Sequence, residues 1–84
     1  MGVIPNPDNM TVGQLLGKAL EMEKEARDFY GALAAACSVD FVRELIDKLK
    51  NEESNHVNLI QELLVSRSGQ AHLLVKTPRN EDGL

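Results

Sequence analysis

The stretch Leu49 to Leu63, LKNEESNHVNLIQEL, places Glu53 and His56 three residues apart at positions where the apolar seam of a helix would carry leucines. The seam around them runs Val42, Ile46, Leu49, Glu53, His56, Ile60, Leu63, stepping four and three as one helix face does. A carboxylate and an imidazole on a core-facing stripe are costly unless a partner satisfies them, and a metal ion satisfies both at once. The rest of the chain is therefore read for the remaining ligands of such an ion.

Working outward toward the N-terminus, a second seam appears with the same stepping: Val12, Leu16, Ala19, Glu23, Ala26, Tyr30, Leu33, Cys37. Glu23 is its one charged member. Leu15, Leu20, Met22, Phe29 and Ala34 widen the stripe. Glu21, Lys24, Glu25, Arg27 and Asp28 form a solvated face, with Glu23–Arg27 and Lys24–Asp28 at the i,i+4 pairing distance. Thr11 and Gln14 have the spacing of a capping box, so a helix is expected to start at about Val12, with Met10 positioned to staple onto Leu15. A break at Ser38–Asp40 offers Ser38 or Asp40 as the next N-cap, and the second helix then runs from about Phe41 to Ser66 or Arg67, with Gly69 as its stop. Gly13, Gly17 and Gly31 inside the first helix hint at close packing there.

The fold class that follows is all-α: an antiparallel two-helix hairpin over residues 11–69, preceded by an irregular lead-in over 1–10 and followed by a tail over 70–84 that is partly disordered or docked on a partner. The composition agrees, with no tryptophan, two phenylalanines and one tyrosine among many helix formers. One cysteine, Cys37, excludes an intrachain disulfide and a four-thiolate metal site, and reads as a small buried hydrophobe. A formal charge of −4 without a basic run argues against nucleic acid or an anionic membrane as the main partner. No apolar run is long enough to span a bilayer and Met1–Met10 lack the plan of a secretion signal, so a cytoplasmic protein is expected.

With the turn centred near Val39, Glu23 lies opposite position 55, between Glu53 and His56, so all three side chains are expected at one height near mid-helix. One hairpin supplies two carboxylates and one imidazole, too few to close a site. A second copy, related by a two-fold axis through the mid-helix level, makes a four-helix bundle whose core receives four glutamates and two histidines. One Glu from each of two helices and Glu-x-x-His from each of the other two is the ligand inventory of di-iron carboxylate bundles, and four carboxylates balance two divalent ions. Oxygen-rich donors with one imidazole per ion suit iron or manganese, and zinc is also able to bind.

The segments KALEMEKEARDFYGALA and LKNEESNHVNLIQELL resemble the ligand helices of the ferritin-like superfamily, especially rubrerythrins and the single-hairpin encapsulated ferritins. In those families a first-helix Glu is followed seven residues later by a Tyr, as Glu23 is by Tyr30, and the second helix carries Glu-x-x-His, as Glu53 and His56 do. The resemblance covers roughly Val12 to Arg67. It implies Glu53 as a bridging or chelating carboxylate, Glu23 and His56 as terminal ligands, and Tyr30 as a hydrogen-bond donor behind them. It further implies two iron ions per homodimer, ferroxidase-type oxidation of iron(II) by dioxygen or peroxide, a ring-like higher oligomer and an enclosing protein shell. The chain departs from the pattern in three places. It lacks the paired cysteines of a rubredoxin-like domain, KTPRNEDGL does not resemble a shell-targeting peptide, and of the acidic entry pair Glu25 is kept while Met22 stands at a neighbouring place. The competing reading is a non-catalytic oligomerisation module in which Glu23, Glu53 and His56 hold a structural metal or a polar network. Glu52 is expected to pair with Lys48 away from the seam, and His72 to lie on the surface.

Overall fold

The computed structural model describes residues 9–76. Two long helices, α1 (Val12–Ala36) and α2 (Asp40–Ser66), pack as a hairpin, and a single 3-10 turn, Ser68–Gln70, follows. No strand occurs among the described residues; one isolated antiparallel bridge joins Thr11 to Leu74. Among the described residues no helix is long and apolar enough to cross a membrane.

The start of α1 follows from its capping box. The Gln14 backbone N–H donates to Thr11 Oγ1 at 3.1 Å, and the Thr11 N–H donates to Gln14 Oε1 at 2.9 Å. α2 begins differently: neither Ser38 nor Asp40 caps it. Val39 occupies the N-cap with no side-chain bond, and Asp40 is the first helical residue, held by Arg43 Nη2 at 2.8 Å. An acid in the first turn also complements the positive end of the helix dipole, which offsets the missing cap. The Cys37 thiol donates to the Val39 carbonyl at 3.5 Å inside the three-residue turn. At the far end α2 does not stop on a left-handed glycine. Its C-cap is Arg67, and the chain tightens into the 3-10 turn without any positive φ.

The tail through Lys76 folds back on the chain's own start. Val12 N–H donates to Leu73 O at 2.7 Å, Gly13 N–H to Ala71 O at 2.9 Å, and Val75 N–H to Met10 O at 2.8 Å. The first amides of a helix have no partner within it, so the tail carbonyls take over two of them. Gly13 makes this approach possible: a Cβ there would stand 3.1 Å from Ala71 Cβ and 3.3 Å from Ala71 O. Gly17, in contrast, faces open space, and Gly31 is in ordinary contact with the Lys50 side chain. Met10 is buried and Leu15 is 40% exposed. The expectations for residues 1–8 and 77–84 lie outside the described residues.

The core is thin. Among the described residues Met10, Ala34, Ile46 and Val57 are the buried apolar ones, and no side chain of these residues is sealed off completely. Large apolar side chains remain uncovered along both helices, up to Phe41 at 76% and Val65 at 78% exposure.

Candidate metal centre

Helix geometry alone brings the three seam residues to one level. Glu23 stands thirteen positions before the end of α1 and Glu53 thirteen positions after the start of α2, so each lies about 20 Å from the turn at 1.5 Å per residue. His56 follows Glu53 by three positions, nearly one helical turn, on the adjoining part of the same face. The result is a cluster in which His56 Nδ1 lies 3.4 Å from Glu23 Oε2 and 3.7 Å from Glu53 Oε2. One ligand atom from each of the three falls within 4.8 Å of the others.

The two His56 contacts fall in the range that a shared cation requires, whereas the 4.8 Å span of the group reaches somewhat beyond it. Donor atoms about 2.1 Å from a common ion lie between roughly 3 Å apart as neighbours and about 4.2 Å apart as opposites. The donor set fits as well, since two carboxylates and one imidazole match an ion that prefers oxygen with some nitrogen, such as iron(II), manganese(II) or zinc.

The protonation of the cluster tells the same story from the other side. Glu53 is held above the ordinary glutamate value, first by its hydrogen bond to Glu23, then by loss of solvent and by the Glu23 charge. Glu23 is held below it, first because it accepts that hydrogen bond, against some loss of solvent, and then because His56 bonds to it. Glu23 is thus the better acceptor of the two carboxylates, and His56, in the tautomer with its hydrogen on Nδ1, donates to it. A cation binding among the three would take the place of these contacts.

The glutamates are partly covered, and the His56 side chain is 54% exposed. The site therefore lies open on one side of the hairpin. The surrounding charges keep clear of it. Arg27, one turn from Glu23, bonds its own neighbour Asp28 through Nε and Nη2 at 3.2 Å and not Glu23. Glu52 has no ion-pair partner among the described residues, so the expected pairing with Lys48 is not formed.

Tyr30 stays outside the cluster. It sits seven positions beyond Glu23, about 10 Å along the helix, with its ring edge-on to Phe29 at 5.6 Å between centroids. Its hydroxyl has no hydrogen-bond partner among the described residues. Cys37 is half-buried in the turn and His72 is exposed on the clasp, both remote from the cluster. Comparison of the chain with protein-family models, curated proteins and solved structures finds no match.

Proposed function

We propose that the chain is a ferritin-like di-metal protein that oxidises iron(II) at a site shared between two copies. The observation that supports this reading most directly is the meeting of Glu23, Glu53 and His56 at one level of the hairpin, on its open side. Three donors from one hairpin leave an ion short of its usual complement, and a second hairpin doubles the set to four carboxylates and two imidazoles. Four carboxylates match the charge of two iron(II) ions, so burial of the charged groups is compensated.

In this reading iron(II) is the substrate. Two iron(II) ions give up one electron each, and the electron pair reduces dioxygen with two protons to hydrogen peroxide, or peroxide with two protons to water. The side chains of the protein hold the ions and handle protons. Glu53 exchanges its proton for the ions as they enter, His56 offers a ring nitrogen, and Glu23 supplies the negative charge that draws them in. Tyr30, whose hydroxyl is unengaged in one chain, would donate a hydrogen bond across the bundle once a second copy arrives. Manganese(II) and zinc(II) bind the same donors, but zinc gives no turnover because it has no accessible second oxidation state.

The test is aerobic addition of iron(II), with formation of iron(III) followed against buffer alone. Oxidation faster than buffer, lost in both Glu53→Ala and His56→Ala, is the expected result. No acceleration over buffer by the unaltered chain overturns the reading. The thin core and the uncovered leucines favour a second reading, a helical oligomerisation module whose polar cluster fixes register. That module assembles equally well after chelation and shows no redox turnover.

A further inference from the structure

Most of the uncovered apolar side chains of the two helices fall on one stripe per helix; Phe41 and Val65, the most exposed of them, stand outside its spacing. On α1 the stripe is Leu15, Met22, Phe29 and Leu33, spaced seven, seven and four, which places them on one face. On α2 the same spacing recurs thirty positions later as Leu45, Glu52, Leu59 and Leu63, with one polar member. His56 stands four after Glu52 and three before Leu59, so the open side of the metal cluster belongs to the α2 stripe.

The two stripes also share one register about the cluster. Leu15 lies eight positions from Glu23 on the clasp side, while Phe29 and Leu33 lie six and ten positions away on the turn side. Leu45 lies eight positions from Glu53 on the turn side, while Leu59 and Leu63 lie six and ten positions away on the clasp side. A two-fold axis at the level of the cluster, perpendicular to the helices, exchanges the two sides. It carries the second copy's Phe29 and Leu33 to about 9 and 15 Å on the clasp side, with Leu15 at about 12 Å between them. It does the same for Leu45 between the second copy's Leu59 and Leu63. On both helices a leucine thus falls into the gap left by two apolar side chains, which is how helix ridges and grooves interlock.

From this we propose that a second copy of the chain covers both stripes in a fixed register, with α1 antiparallel to the partner's α1, α2 antiparallel to the partner's α2, and Leu15 seated between Phe29 and Leu33 of the other copy. The proposal rests on the shared site of the preceding subsection and specifies how the copies meet. Four buried apolar residues among residues 9–76 make a thin core for two helices of this length, and the stripes supply further burial. The same contact that buries the leucines covers His56.

Paired cysteines test the register. In a Cys37→Ser background, Leu15→Cys with Leu33→Cys places two thiols about 27 Å apart within one helix, too far for an intrachain disulfide. Mild oxidation is expected to give a covalent dimer whose digest contains a 15-to-33 linked peptide. Leu45→Cys with Leu63→Cys, equally separated on α2, is expected to give a 45-to-63 link and serves if the first variant fails to fold. A dimer that links 15 to 15 or 33 to 33, or that yields no link in either variant, overturns the register and leaves the shared metal site standing. Light scattering that finds only monomer at micromolar concentration, with and without iron(II), overturns both.

Discussion

The clasped end of the hairpin and its mid-helix level both gather polar groups, and satisfy them in opposite ways. At the clasp every free donor of the first turn of α1 finds a partner in the same chain. Thr11 and Gln14 serve each other, and the carbonyls of Leu73 and Ala71 take the amides of Val12 and Gly13. At mid-helix the contacts are longer and the imidazole is half in solvent. A closed network fixes structure. An open one keeps its capacity to bind, at a cost in apo stability.

The largest expected effect falls on the open network. Glu53→Ala or His56→Ala should bring iron(II) oxidation down to the rate of buffer, while leaving the far-ultraviolet circular dichroism of a helical chain, since neither residue belongs to a cap or to the buried core. Loss of helicity in both variants would mean that the cluster is structural after all, and the contrast with the clasp would disappear.

A pH series sharpens the same contrast. Glu53, raised in the folded chain, contributes stability that is present below its unfolded value and lost as pH rises through the folded one. Glu23, lowered in the folded chain, contributes stability that is present above its unfolded value and lost as pH falls through the folded one. The apo contribution of the pair therefore peaks around the ordinary glutamate range and declines on either side. Binding of manganese(II) should do the reverse on the alkaline side, growing tighter as pH rises through the Glu53 value, with proton release visible as a buffer-dependent heat in calorimetry. Metal affinity that is flat with pH would contradict the proton exchange described above.

Smaller effects belong to the clasp. Thr11→Ala removes the acceptor of the Gln14 amide and should cost about 1 kcal/mol in denaturant unfolding, with no change in metal affinity. Gly17→Ala, with nothing near its new methyl group, should stabilise by about 1 kcal/mol. Gly13→Ala should fall short of that gain because its methyl group meets Ala71, and faster hydrogen exchange at the amides of Val12 and Val75 would report the loosened clasp.

How much of this was legible in the sequence depends on what kind of contact is involved. The start of α1 and the level of the three site residues rest on side-chain identity and on a fixed rise per residue, both of which a sequence displays. The clasp consists of backbone hydrogen bonds, to which Ala71, Leu73 and Val75 contribute no distinctive side chain, so nothing in the sequence announced it. The beginning of α2 misled for a related reason. Ser38 and Asp40 are both good capping residues, yet the turn is one position tighter on one and looser on the other, and Val39 takes the cap. Arg27 had two acids within reach, and only coordinates distinguish Asp28 from Glu23.

The clasp has a mechanical consequence for the site. α1 and α2 are pinned together at both ends, by the turn at Cys37–Val39 and by the bonds of Met10–Gly13 to Ala71–Val75. Two rods pinned at their ends are stiff there and most compliant at mid-span. The cluster lies about 20 Å from one pin and, at Glu23, about 17 Å from the other. Glu23 and Glu53 therefore stand at the point where the gap between the helices adjusts most easily to whatever comes between them.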